Sequence, residues 1–199
     1  DGVKPFDLDV AQMFGHSPKT VMRDETVVHH YEDATYTVDN IDEYLNNVLQ
    51  LEAVACKDWL TNKVDRSVTG KIARQQTQGQ VQLPLSDCGV VALDFRGHAG
   101  IATALGHAPQ AGMANPAAGV LSVAESLTNI VWAPIATDRE HPSAVQNLNL
   151  SANWMWPCRS QQGEDARLYK GVQALSDFCC ALKVNVPTGK DSLSMTQKY

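Results

Sequence analysis

The stretch VQNLNLSANWMW, residues 145–156, alternates apolar and polar side chains along nearly its whole length. A period of two is typical of a β-strand with one buried and one solvent-facing side. The segment at 163–182 follows with apolar residues at helical spacing, and KVNVP, residues 183–187, has the pattern of a short strand. This order predicts an α+β fold in which a mixed or antiparallel sheet packs with helices. The two faces of the first strand are Leu148, Leu150, Ala152 and Trp154 on one side, and Asn147, Asn149, Ser151 and Asn153 on the other.

The N-terminal part of the chain is less regular. We expect residues 1–24 to be an irregular lead-in, and TVVHHYEDATYTV, residues 26–38, to form a strand because it is rich in β-branched and aromatic residues. The following segment, residues 38–54, has apolar residues at helical spacing, which predicts an amphipathic helix with Asp39 as its N-cap.

The central part combines a strand, a loop and a helix. Residues 80–95 predict a strand that is interrupted by a turn at Pro84–Asp87. Residues 102–119 are rich in Gly, Ala and Pro and predict a long loop that passes close to a ligand or to another backbone. A helix then begins, with Asn115 able to cap it and Pro116 at its first position.

Composition excludes several classes of protein. The 199 residues are 44% hydrophobic and 19% charged, with a formal net charge of −6, so a nucleic-acid surface is not expected. No apolar run is long enough for a transmembrane helix, and no signal peptide is recognisable, so we expect a cytoplasmic protein without membrane contact. The five cysteines form no CxxC pair and fit reduced thiols. The chain begins without Met, which suggests a fragment of a longer polypeptide.

The helix predicted over residues 116–131 carries a polar stripe on an otherwise apolar sequence. Ala118, Ser122, Glu125 and Asn129 share one face, so a carboxylate and an amide lie one turn apart. Two hard oxygen ligands at this spacing can share a Mg²⁺ ion together with the phosphates of a substrate. The alternative is structural: Glu125 pairs with a Lys or Arg, and Asn129 satisfies backbone groups.

Asp87 lies where an apolar strand begins, and it could either cap the turn or be a third oxygen ligand of a Mg²⁺–nucleotide complex. Residues 186–195, VPTGKDSLSM, do not match the phosphate-binding P-loop motif and predict a Gly turn, which either contacts the substrate or only turns the chain. Basic residues in the segment 57–79 could form a phosphate clamp or a solvated loop. His107 has no evident catalytic partner. The turn carries Lys190, Asp191 and Ser192, and the basic residues are Lys57, Lys63, Arg66, Lys71 and Arg74.

Six ordered blocks closely resemble the phosphoribosylformylglycinamidine synthase family in its large, single-chain form. The resemblance covers most of residues 57–199, and the lead-in at 5–19 is also similar to that family. The blocks are DRSVTGKIARQQTQG, PLSDCGV, AESLTNIVWAPI, LSANWMW, GEDARLYKGVQAL and VPTGKDSLSM.

The resemblance implies a fold and an activity. Residues 25–199 would be the N-terminal half of a module similar to aminoimidazole ribonucleotide synthetase, in its second copy and ending before its C-terminal half. The family converts formylglycinamide ribonucleotide, ATP and glutamine into the amidine, ADP, phosphate and glutamate. Ammonia comes from a separate glutaminase domain, whose nucleophile is absent here, so this chain alone would be inactive. Its partners would be the remaining domains of the same polypeptide.

The resemblance also implies site residues. Those that match Asp87, Glu125 and Asn129 hold Mg²⁺ on a bound ATP or ADP, the one that matches Ser86 lies at the nucleotide, and Lys57 is expected to approach the active site. Two alternatives stay open. The nucleotide could be a non-catalytic ADP in a structural half-domain, and the polar strand face could form an inter-module barrel through which the fragment dimerises.

Overall fold

A computed structural model describes residues 2, 4, 6–16, 18–61, 70–82, 86–157 and 161–197 of the chain. Three short 3-10 turns cover Val38–Asn40, Pro116–Gly119 and Ala144–Asn147. The helices are α1 (Val10–Phe14), α2 (Ile41–Gln50), α3 (Asp58–Thr61), α4 (Pro109–Ala114), α5 (Val120–Ile130) and α6 (Glu164–Leu182). The strands are β1 (Ile72–Arg74), β2 (Cys88–Ala92), β3 (Gly100–Ala104), β4 (Asn149–Met155) and β5 (Asn185–Ser192).

The first sheet is an antiparallel meander in the order β1-β2-β3. Strands β2 and β3 pair from Cys88 opposite Ala104 to Ala92 opposite Gly100. Glycine is required at position 100 because a Cβ there would lie 2.7 Å from the carbonyl oxygen of Val91. This register fixes which residues meet where β2 begins and β3 ends.

The second sheet consists of β4 and β5, which run parallel with α6 as the crossover between them. The predicted alternation is confirmed, since Leu150, Ala152 and Trp154 are partly buried while the residues between them are exposed. The strand is shorter than 145–156 because its first residues form a 3-10 turn. The α+β class is confirmed, and the described residues form an antiparallel sheet and a separate parallel pair of strands.

The buried apolar residues lie where α5 and α6 meet the sheets. Burial raises the pKa of the Cys179 thiol. Arg167 of α6 is also buried, and its Nη2 donates a hydrogen bond of 2.6 Å to the carbonyl of Met113 at the end of α4. A buried arginine therefore links α6 to the segment that follows β3. The most buried apolar side chains are Cys88, Val123, Ala133, Cys179 and Val184.

Two N-terminal predictions are wrong. Residues 26–38 do not form a strand, because their backbone has no strand partner among the described residues and most of their side chains are exposed. Asp39 is not an N-cap, since it lies inside the 3-10 turn and α2 begins after Asn40 without a side-chain cap. The amphipathic helix itself is confirmed as α2, which covers Ile41–Gln50 within the predicted segment 38–54.

Two predictions of irregular structure need correction. The segment 102–119 is not one long loop, because it contains the end of β3, the short helix α4 and a 3-10 turn. Lys190, Asp191 and Ser192 do not form a Gly turn, since β5 continues through them and pairs with Asn153–Met155 of β4. In the segment 80–95 the described strand covers only Cys88–Ala92, and residues 83–85 lie outside the described residues.

The lead-in contacts the rest of the chain at the start of α6. The carboxylate of Asp24 accepts hydrogen bonds from the backbone of Gly163 at 3.0 Å and of Ala166 at 3.2 Å. These bonds lower the pKa of Asp24, with the Gly163 N–H as the largest cause. An acidic side chain 139 residues away thus caps the longest helix.

Candidate functional site

The three predicted ligand residues converge on one peptide segment, Leu105–His107, just beyond β3. The backbone carbonyl of Asp87 accepts a bond of 3.0 Å from the Leu105 N–H. The Leu105 carbonyl in turn accepts a bond of 2.9 Å from Nδ2 of Asn129, and Oε2 of Glu125 accepts one of 2.7 Å from the His107 N–H. Residues remote in sequence therefore share a single structural neighbourhood.

The fold explains this convergence. The β2–β3 register continues one residue past the strands, which sets Asp87 opposite Leu105. Helix α5 then runs against this segment with Glu125 and Asn129 one turn apart on the same face. Contact between helix and segment is so close that a Cβ on Gly106 would lie 1.8 Å from the Ser122 carbonyl oxygen.

The hydrogen bonds determine which oxygen atoms are available. Oε2 of Glu125 accepts the hydrogen bond from the His107 N–H, so Oε1 of Glu125 remains available. Asn129 donates from Nδ2 to the Leu105 carbonyl, which orients its Oδ1 away from that carbonyl. Glu125 is exposed and Asn129 is partly buried. Part of the structural alternative is confirmed, since Asn129 does satisfy a backbone group. Glu125 bonds a backbone N–H, and the described residues show it in no bond with Lys or Arg.

Ser86 and Arg74 form a second part of the neighbourhood, next to Asp87. The Arg74 Nε donates to the Ser86 hydroxyl oxygen at 3.1 Å, and this hydroxyl donates to the Cys88 carbonyl at 3.2 Å. A guanidinium group is therefore held where β1 ends and β2 begins.

The other basic residues are placed differently. Lys57 donates from Nζ to the Ala55 carbonyl at 2.9 Å, and Lys71 donates to the Gly97 carbonyl at 3.4 Å. Lys63 and Arg66, which were predicted as part of a phosphate clamp, lie outside the described residues.

A broad cleft of about 2130 Å³ opens between the two sheets and has a mainly apolar lining. Leu105, Gly106 and His107 line it, whereas Asp87, Glu125 and Asn129 do not.

Within the described part of the chain, no group of three or more His, Cys, Asp or Glu side chains could hold a metal ion. A set of two carboxylates and one amide would need further ligands, such as phosphate oxygens. The helices of the described residues include none with the length and hydrophobicity of a membrane span.

Residues 56–199 match the family described as the FGAR-AT PurM_N-like domain. The chain belongs to this family. The match covers both sheets and every residue of the neighbourhood around Leu105–His107. The predicted boundary between a lead-in of residues 1–24 and a domain of residues 25–199 stays a prediction.

Full-length relatives support the assignment. The chain is 38% identical over 200 residues to phosphoribosylformylglycinamidine synthase of Drosophila melanogaster and covers 14% of that protein. The chain is 44% identical over 160 residues to the human protein of the same name. This alignment covers 80% of this chain and 11% of the human protein. The relative of the same name from Saccharomyces cerevisiae is 38% identical over 201 residues, 98% of this chain and 14% of the relative. The chain thus spans only a small part of the relatives that it matches.

The sequence did not predict four features of the structure. Gly106 gave no signal beyond a Gly/Ala-rich context, and the contribution of His107 is its backbone N–H rather than its imidazole. Arg74 and Ser86 were candidates separately, but nothing in their spacing showed that they are bonded. Asp24 is too far along the chain from α6 for a local capping pattern to reveal it.

Proposed function

We propose that this chain supplies a Mg²⁺–nucleotide site to a phosphoribosylformylglycinamidine synthase that acts in purine biosynthesis. The observation that carries the proposal is the convergence of Asp87, Glu125 and Asn129 on the segment Leu105–His107. The relatives that bear this enzyme name support the family role.

The donor set fits magnesium. Mg²⁺ is held by hard oxygen atoms, commonly one or two carboxylates, with the remaining positions filled by water and substrate phosphates. Glu125 and Asn129 each keep an oxygen available after their bonds to the peptide, and these bonds orient the ligands as second-shell contacts do in other metal sites. The bound ion would neutralise charge on the nucleotide phosphates.

Arg74 and Ser86 complete the proposed site. Because Arg74 is bonded to Ser86 through Nε, its two terminal nitrogens remain able to donate to a phosphate in a forked arrangement. Ser86 holds this guanidinium group and approaches the nucleotide itself. Lys57 stays a candidate for an approach to the active site from the start of the domain.

In the complete enzyme, this site would contribute to the conversion of formylglycinamide ribonucleotide to the amidine with ATP and glutamine. The chain covers 14% or less of its relatives, so the other domains would supply the remaining substrate contacts and the ammonia. We propose that the chain has no synthase activity by itself.

The test is calorimetric titration of the complete protein with Mg·ADP. Glu125→Ala and Asn129→Ala should each weaken binding by at least about tenfold, as expected for the loss of a metal ligand. Glu43→Ala, on the exposed helix α2, removes a carboxylate elsewhere and should leave affinity unchanged. Wild-type affinity in both site variants would reject the proposed metal site.

A second candidate is a structural half-domain that holds a non-catalytic ADP and forms a barrel with its sister half. It is favoured by the open apolar cleft and by exposed apolar side chains at its edge, including Trp132 at 75% exposure. Double substitution Ser151→Arg and Asn153→Arg, on the exposed polar face of β4, should then dissociate a dimer of the chain in sedimentation analysis. Unchanged sedimentation would reject this candidate.

A further inference from the structure

The N-terminal part of the chain meets the large cleft through one short segment, residues 24–31. We propose that this segment is a binding element of the cleft, in which Tyr31 and His29 contact the base of a bound nucleotide. The nature of the ligand rests on the proposed function, whereas the contact itself involves other residues and needs no metal ion. Asp24 acts in it as a positioning residue.

The segment is fixed to the start of α6 at two places. The carboxylate of Asp24 accepts the hydrogen bond of 3.0 Å from the Gly163 N–H. Three residues later, Val27 packs so closely on the same turn that a Cβ on Gly163 would lie 2.7 Å from Cγ2 of Val27. Since Glu164, the next residue of this turn, lines the cleft, these contacts hold the segment at the cleft wall.

Alternate side chains of the segment face the cleft. His29 and Tyr31 line it, and the centroids of their rings are 6.4 Å apart. Val27, two residues earlier, is partly buried, whereas Val28 and His30 are exposed and do not line the cleft. Side chains two residues apart share one side of an extended backbone. The segment therefore turns one side toward the cleft, although it forms no ladder with the described strands.

The charged side chains of the cleft favour an anionic ligand. The chain has a formal net charge of −6, yet the described lining of the cleft is rich in basic side chains and has Glu164 as its one carboxylate. This carboxylate lies 3.5 Å from Nε of Arg167, which compensates its charge. A cleft lined mainly by charges of one sign attracts a ligand of the opposite sign. The basic residues are Lys71, Arg74 and Arg167, together with His29, His98 and His107.

A nucleotide combines the two properties that this cleft selects. Its phosphates are anionic, and its base has a flat face that stacks on tyrosine and histidine rings. Tyr31 is 62% exposed, so its ring is open to a ligand at the cleft wall. Stacking of the base on Tyr31, with His29 beside it, leaves the phosphates to the basic side chains of the cleft.

Calorimetric titration of the complete protein with ADP in the presence of a metal chelator tests the contact. Tyr31→Ala should weaken binding by about 5- to 100-fold, the usual effect of losing a base–aromatic contact. Tyr36→Ala is the matched control, since Tyr36 is 79% exposed, does not line the cleft and should leave the affinity unchanged. Unchanged affinity in Tyr31→Ala, or an equal loss in Tyr36→Ala, would overturn the inference.

Two further comparisons identify the groups in contact. His29→Ala should weaken ADP binding and His30→Ala should not, because only His29 lines the cleft. Pyrophosphate has no base, so it should bind to Tyr31→Ala as tightly as to the unmodified protein. Equal losses in the two histidine variants, or a loss of pyrophosphate affinity in Tyr31→Ala, would contradict contact with the base.

A double-substitution cycle tests the positioning role of Asp24. Asp24→Asn should weaken ADP binding because the segment is no longer held at the cleft wall. The loss caused by Asp24→Asn should be smaller in the Tyr31→Ala protein than in the unmodified one, since part of the contact that Asp24 positions is already absent. Fully additive losses would refute this role.

Failure of this inference is distinguishable from failure of the proposed function. Weaker Mg·ADP binding in Glu125→Ala, together with unchanged ADP binding in Tyr31→Ala and His29→Ala, rejects only the contact with the segment. Unchanged Mg·ADP binding in Glu125→Ala rejects the metal site, and weaker ADP binding in Tyr31→Ala would still support the cleft contact. An unmodified protein that binds no ADP rejects both.

Discussion

Two glycines six residues apart should respond to the same substitution with opposite signs. At Gly106, a Cβ would lie 1.8 Å from the Ser122 carbonyl, whereas ordinary contact begins at 3.4 Å. The segment must therefore move from α5 by about 1.6 Å. Gly112 lies within the short helix α4, where an added Cβ meets nothing within 4 Å.

The magnitudes follow from these contacts. A displacement of that size breaks the bonds from His107 to Glu125 and from Asn129 to Leu105, each with a net value of about 0.5–1.5 kcal/mol. Gly106→Ala should therefore lower the free energy of local opening by about 1–3 kcal/mol. Gly112→Ala should raise it by about 0.5–1 kcal/mol, because alanine loses less backbone entropy than glycine in a helix.

The assay is native-state hydrogen exchange, read on peptides that cover residues 105–115 and 120–130. Exchange in Gly106→Ala should accelerate by between about fivefold and about a hundredfold, and in Gly112→Ala it should slow by about two- to fivefold. Peptides from α2 serve as the unaffected reference. Equal exchange in the two variants would refute the close approach of the segment to α5.

Three further substitutions test packing and capping. Asp24→Asn should destabilise the contact between the lead-in and α6, measured by exchange of the Gly163 and Ala166 amides. Folding lowers the pKa of Asp24, so the stabilisation by its carboxylate is present above the ordinary pKa of 3.8 and is lost as the pH falls through the lower folded-state pKa. Below that folded-state pKa, the variant and the unmodified protein should exchange at the same rate. A difference that persists at lower pH contradicts this. Val123→Ala should cost about 1.5–2.5 kcal/mol in denaturant unfolding, because Val123 is only 6% exposed, and a loss below 0.5 kcal/mol would contradict its burial. Asn115→Ala should cost about 0.5–1 kcal/mol through the lost bond to the Ala117 N–H, and Asn115→Asp should not.

Local patterns predicted the elements whose information lies within a few residues. The alternation before Met155, the helical spacing after Gly163 and the capping Asn115 each correspond to an observed feature. These succeed because side-chain period and capping are properties of neighbouring residues. Local patterns failed at residues 26–38, where β-propensity was present but no strand partner is available among the described residues.

The sequence by itself determined the α+β class, the chemical character of Asp87, Glu125 and Asn129, and the family resemblance that the comparison confirmed. Only the tertiary structure decided that these three meet at Leu105–His107, and that one oxygen of Glu125 is already bonded there. The physical reason is that the contacts depend on strand register and on a backbone-to-backbone approach at Gly106. Both arise between segments far apart in the chain, and no local periodicity encodes them.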